Sequence, residues 1–210
     1  MMKTNCSRWL PILMFWLAVL SGVPVRAEAP MILVFGDSLS AAYGMPAERG
    51  WVSLLQHRLA ERNYPHRIVN ASISGETTSG GLSRLPAVLQ QHRPELVILE
   101  LGANDGLLGQ PPMITSHNLA KMIELSQQAG AKVLLAEMRI PPNYGPLYTQ
   151  KFQATFSELA NKYRLPLIPF MLNGVSGNPA LIQDDGLHPR AEAQVRILEN
   201  VWPTLEAALQ

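Results

Sequence analysis

The sequence predicts a three-layer αβα sandwich on a mostly parallel five-stranded sheet, and two observations carry that prediction. Five short, β-rich apolar runs alternate with longer segments of helical period, which is the pattern of strands joined by crossover helices. Apolar residues make up 47% of the chain against 16% charged, so a sheet covered on both faces is within reach and disorder is excluded. No repeat or low-complexity linker interrupts the 210 residues, and one domain is expected.

Met31-Ile-Leu-Val-Phe35 reads as a buried strand ending at Gly36, and Trp51 to Asn63 carries apolar residues at helical spacing. Arg67–Asn70 is a second strand, followed by the Gly/Ser/Thr-rich turn Ser72–Gly81 and a helix over about Leu82–His92. Glu95–Leu101 is the third strand, and a helix over Met113–Ala129 stops at Gly130. Lys132–Met138 is the fourth strand, and the Pro-rich loop Ile140–Pro146 leads to a helix near Leu147–Tyr163. Leu165–Pro169 is a short fifth strand, and Pro189 starts a last helix running toward Leu209. In such sheets ligands sit beyond the carboxyl ends of the strands, so the loops that follow the strands carry the weight of any functional reading.

At the N-terminus, Lys3 and Arg8 precede the apolar run Trp9–Leu20, which Ser21, Gly22 and Pro24 break before Val25-Arg26-Ala27. That order predicts an export signal over residues 1–27, cleaved after Ala27, with 28–210 as the domain. Retention as an anchor calls for about 18 or more uninterrupted apolar residues, and Pro11 with the Ser21–Pro24 break argues against it. No stable membrane anchor is therefore expected once the signal is removed. The single cysteine, Cys6, lies inside that segment, which leaves the mature chain without disulfide, thiol nucleophile or thiolate metal site. Losing Lys3, Arg8 and Arg26 takes the net charge from +1 to −2, and no Lys/Arg run suggests nucleic acid as a partner. No H-E-x-x-H cluster occurs, and neither metal nor cofactor is expected.

The first strand-end loop is Gly36-Asp37-Ser38-Leu39-Ser40. A serine at the tip of a sheet can face a substrate, but Asp37, Ser38 or Ser40 can equally cap the next helix. Nucleophilic serine needs a base. Of five histidines, His57, His66 and His92 fall on helix faces or the far side of the sheet, and His117 lies in the helix after the third strand. His188 stands in Asp184-Asp185-Gly186-Leu187-His188-Pro189, where the D-x-x-H spacing lets Asp185 reach one ring nitrogen while the other faces outward. The competing reading makes Asp185 a helix cap and His188 a surface side chain.

Taken together, these elements resemble the blocks of the GDSL, or SGNH, hydrolases. The resemblance covers the chain from Met31 to the last helix, and it implies an SGNH form of the flavodoxin-like sandwich. It makes Ser38 the nucleophile, Gly75 (in Ser72-Ile-Ser-Gly75) a backbone oxyanion donor, Asn104 (in Gly102-Ala-Asn104-Asp105) a side-chain oxyanion donor, and Asp185 and His188 the rest of a triad. Asn104–Gly109, Pro142–Gly145 and Gln183–Pro189 are similar to the periplasmic thioesterase I branch, which implies a periplasmic or secreted enzyme. Ala103 departs from that branch, which often has a second glycine there. Asp37 and Asp105 read as turn and helix-start residues. No G-x-S-x-G elbow is present, so the ordinary α/β-hydrolase pattern fails.

Leu107, Leu108, Pro112, Ile140 and Tyr144 supply apolar loop side chains suited to an acyl chain, although such residues can equally pack on one another. The resemblance implies acyl esters, lysophospholipids, aryl esters and thioesters as substrates, by way of an acyl-enzyme. Two rivals are an O-acetyl esterase acting on exported polysaccharide and a lipid-binding protein of the same fold without turnover. The second would require a missing catalytic member, and none is missing from the sequence.

Overall fold

Residues 29–210 are described in the computed structural model of the chain, and all five apolar runs become strands of one sheet. They are β1 (Met31–Gly36), β2 (Arg67–Asn70), β3 (Leu96–Glu100), β4 (Lys132–Ala136) and β5 (Leu167–Ile168). Their order is β2-β1-β3-β4-β5 and every pairing is parallel. The expected export signal and its cleavage point lie outside the described residues.

The helices are α1 (Trp51–Glu61), α2 (Thr78–His92), α3 (Ala103–Leu107), α4 (Pro112–Gln128), α5 (Pro146–Tyr163) and α6 (Gln194–Ala208). The pair α1 and α6 packs together on one face of the sheet, while α2, α4 and α5 pack in a row on the other. With both faces covered, the central strands need no polar alternation, and β1 and β3 are buried at every position. Trp51, Phe35, Phe152 and Phe156 are fully buried in the two interlayer cores, where a side chain of that size contributes about 1.5–3 kcal/mol. Pro86 in α2 and Pro203 in α6 lie on exposed faces, so the carbonyl each leaves unbonded can meet water.

The strand order reverses between β1 and β3. Connections leave the sheet in opposite directions there, which opens a crevice between the loop after β1 and the loop after β3. These are the loops that hold Ser38 and Asn104.

Three segments differ from the sequence reading, each for a tertiary reason. Helix α2 begins at Thr78 rather than near Leu82, inside a run too rich in glycine and serine to announce a helix. Thr77 caps it by accepting the Gly80 N–H, while buried Asp105 accepts from both the backbone N–H and the hydroxyl of Thr78. The loop after β3 holds the short helix α3, which sets Asn104 and Asp105 against the Glu76–Thr78 turn. The last helix starts at Gln194, and Pro189 instead bridges to Ile182. Gln183 N–H donates to the His188 carbonyl and Arg190 N–H to the Leu181 carbonyl, each at 2.7 Å. The chain before α6 is thus a tight hairpin with His188 near its base.

Candidate active site

Ser38 follows β1 at the crevice and is only 8% exposed. Its Oγ lies 2.9 Å from His188 Nε2, and His188 Nδ1 lies 2.6 Å from Asp185 Oδ2. The other Asp185 oxygen accepts the backbone N–H groups of Leu187 and His188, at 2.9 and 3.0 Å. Asp185 caps no helix, since α6 starts only at Gln194; one of its oxygens shapes the local turn and the other holds the ring. The His188 N–H bond, ahead of the side-chain contact with that residue, holds the Asp185 carboxyl down at about 2. Asp184 takes no part, since its carboxylate points into solvent and accepts from Arg190 at 2.6 Å.

Two contacts around His188 carry no local sequence signal. The Tyr43 ring packs on the imidazole with centroids 4.3 Å apart. Gln183 donates its amide to the carbonyls of Tyr43 (2.8 Å) and Pro189 (3.0 Å), which ties the loop after β1 to the hairpin that carries the histidine.

Asn104 lies across the crevice at the start of α3. Its amide donates to Asp37 Oδ2 at 3.1 Å and to the Glu76 carbonyl at 2.9 Å. The first bond joins the asparagine to the residue before Ser38, and the second joins it to the turn that contains Gly75. Gly75 is exposed at the edge of the crevice, in a left-handed conformation with φ +78°. A Cβ there would meet nothing within 4 Å. What requires glycine at this position is the backbone angle, and not the close approach that a donor role suggests at first sight.

The crevice widens into a cleft of about 490 Å³ whose apolar walls include Leu107, Ile140, Pro141, Phe170, Leu172 and Leu187. Of the five side chains expected to line an acyl groove, Leu107 and Ile140 do so. The other three are corrections. Leu108 ends α3 with its side chain turned out and 69% exposed, and Pro112 is committed to the first turn of α4. Tyr144 stands outside the walls, with its hydroxyl donating to the Leu107 carbonyl at 2.7 Å, so it braces the groove without lining it. Phe170 and Leu172 were not singled out by the sequence because the irregular chain after β5 has no period that assigns them a face.

Beneath Ser38 lies a buried pair of carboxyl groups. Glu100, at the end of β3, is fully buried, and its Oε2 accepts the Ser40 hydroxyl (2.5 Å) and the Asp37 N–H (3.3 Å). Its Oε1 has no hydrogen-bond partner among the described residues. Gly36 has no side chain to spare here, since a Cβ would come within 2.3 Å of that carboxyl. Asp37 accepts the Leu39 N–H at 3.0 Å, forming the turn expected of it. Burial pushes Glu100 well above the ordinary carboxylate range, with the neighbouring Asp37 charge adding to the rise, and burial raises Asp37 to about 6 against the opposing Leu39 N–H bond.

This pair has a consequence for stability. The folded chain keeps a proton on Asp37 between its ordinary value of 3.8 and about 6, where the unfolded chain has lost it. Its contribution is full below that window and lost as pH rises through it, at about 1.4 kcal/mol per pH unit for each such proton. Burial lowers His66 and works in the opposite sense, so the comparison must be made between variants. The melting temperature of Glu100→Gln minus that of wild type is expected to rise steadily from pH 4 to pH 7. A difference that stays flat over this range would show that Glu100 is not held neutral.

The chain belongs to the GDSL-like lipase/acylhydrolase family, whose pattern matches residues 34–196. Among relatives, it is 50% identical over 184 residues to Esterase TesA of Pseudomonas aeruginosa, covering 88% of this chain and 92% of that one. It is 42% identical over 191 residues to Thioesterase 1/protease 1/lysophospholipase L1 of Escherichia coli K12, covering 90% and 88%. Among solved structures, the psychrotrophic esterase EstA from Pseudoalteromonas sp., inhibited by monoethylphosphonate, superposes with a TM-score of 0.82 at 42% identity, covering 85% of this chain and 98% of that one. The fold is that of the SGNH hydrolases, and the chain is an ester hydrolase.

Proposed function

We propose that Ser38, His188 and Asp185 act as a catalytic triad that hydrolyses acyl esters and thioesters of medium and long chain, lysophospholipids and aryl esters among them. The observation that carries this reading is the unbroken hydrogen-bonded line from Asp185 through His188 to Ser38 Oγ, opening on an apolar cleft. His188 Nε2 takes the Ser38 proton as Oγ attacks the acyl carbon, and Asp185 stabilises the charge that forms on the ring. The carbonyl oxygen becomes an oxyanion that accepts from the Ser38 and Gly75 N–H groups and the Asn104 amide. His188 returns the proton to the departing alcohol or thiol, and water repeats the cycle on the acyl-enzyme. The names of the relatives, which include esterase, thioesterase and lysophospholipase, support this substrate range. The basic end, short apolar core and small residues over 1–27 support export to the periplasm or the medium.

A p-nitrophenyl ester series from acetate to palmitate tests the acyl preference. Walls made by Leu107, Ile140, Phe170 and Leu172 favour chains longer than about four carbons, because each methylene buried adds about 0.8 kcal/mol. Turnover confined to acetate would overturn this preference in favour of an O-acetyl esterase.

A further inference from the structure

Among the described residues, nine large apolar side chains are exposed, and all nine lie at one end of the molecule. Tyr43 stands in the loop after β1, Ile73 after β2, Leu108 after β3 and Leu187 after β5. Met113 and Leu147 sit in the first turns of α4 and α5, which start at the same end because the helices run antiparallel to the strands. Of the remaining three, Tyr144 lies in the loop after β4, Ile114 in the first turn of α4 and Val195 in the first turn of α6, on the other face of the sheet. Among the described residues, no large apolar side chain is exposed in the connections at the opposite end, which present Arg67, Arg93, Lys132, Arg164 and the Glu206-paired Arg62 to solvent beside Glu61 and Glu95.

Scattered exposed apolar residues are ordinary, but their confinement to one end of the molecule, the end on which the cleft opens, is not. We infer that the strand-end face of this protein docks on the surface of a zwitterionic lipid aggregate, so that an acyl chain passes from the aggregate into the cleft without crossing water. The inference rests on the esterase reading and deepens it by naming the physical state of the substrate.

Two features favour a lipid surface over other occupants. The apolar rim is continuous with the acyl cleft through Leu187, which belongs to both. The three arginines of the strand-end loops are each neutralised locally: Arg49 by Glu192, Arg139 by Glu137 and Arg190 by Asp184. A face that is apolar and locally neutral suits a headgroup layer without net charge, whereas an anionic surface would draw the cationic opposite end.

The test uses the chain from Glu28 onward, which holds every described strand and helix, in a Ser38→Ala background to prevent turnover. Sedimentation with phosphatidylcholine vesicles is expected to pull down the wild-type surface. The pair Met113→Asp and Leu147→Asp is expected to lower the bound fraction at least tenfold. With Ser38 restored, the same pair should hydrolyse dissolved p-nitrophenyl butyrate at the wild-type rate, since neither side chain lines the cleft. Absent vesicle binding, or binding untouched by the pair, overturns the inference. Self-association that the pair abolishes, in place of vesicle binding, also overturns it and assigns the face to a second copy. A chain inert on p-nitrophenyl butyrate would instead sink the esterase reading, whatever its behaviour with vesicles.

Discussion

Replacing Ser38 or His188 by alanine is expected to lower kcat/KM on p-nitrophenyl butyrate by about 10⁴- to 10⁶-fold. The two losses should be similar, and the double variant should be little worse than either, because nucleophile and base act as one unit. The fold should not suffer. The Ser38 hydroxyl is bonded to His188, and His188 lies at a hairpin base held by backbone bonds and by Gln183. Labelling by a fluorophosphonate probe reports the nucleophile independently of turnover and is expected to vanish in Ser38→Ala. The same assay separates the adjacent aspartates. Asp185→Ala removes the partner of Nδ1 and should cost about 10⁴-fold, whereas Asp184→Ala loses only a solvent-exposed pair with Arg190 and should be nearly unchanged. An inactive Asp184→Ala beside an active Asp185→Ala would reverse the assignment of the orienting carboxylate.

The legible parts of this molecule are those where one periodicity dominates. The central runs β1 and β3 were legible as strands because a strand covered on both faces reads as continuous hydrophobicity. Asp185 and His188 were legible because a three-residue spacing allows one tight turn to bring them together, as the Asp185 bonds to the Leu187 and His188 N–H groups do. The start of α2 was not, because Asp105, 27 positions away, holds Thr78 and overrides poor local propensity. Glu100 gave no sign of its place under the nucleophile. In sequence it is an acid at the end of an apolar strand, and only the packing of β3 beside β1 sets it against Gly36 and Ser40. The groove was half legible for a related reason. Leu107 and Leu108 are equivalent in composition, and the single turn of α3 decides which one faces the cleft.

Asn104→Ala is expected to lower kcat by about 10²- to 10³-fold, or about 2.7–4 kcal/mol, with KM changed little, as for loss of one preorganised oxyanion donor. Both amide hydrogens are engaged at rest, the shorter bond going to the Glu76 carbonyl at 2.9 Å and the longer to Asp37 at 3.1 Å. The longer bond is the one an oxyanion can compete for, and burial, by raising Asp37, makes its carboxyl a weaker rival below about pH 6. A structural explanation must still be separated, since Asn104 also steadies the turn of Gly75. Gly75→Ala provides the separation. It keeps the backbone N–H and finds open space for the methyl group, while the left-handed backbone costs about 1–2 kcal/mol and loosens the same turn. If the amide acts on the oxyanion, Gly75→Ala should lose less than tenfold in kcat while Asn104→Ala loses the larger amount. Equal losses in the two variants would show that the shape of the turn, and not the Asn104 donor, controls the rate.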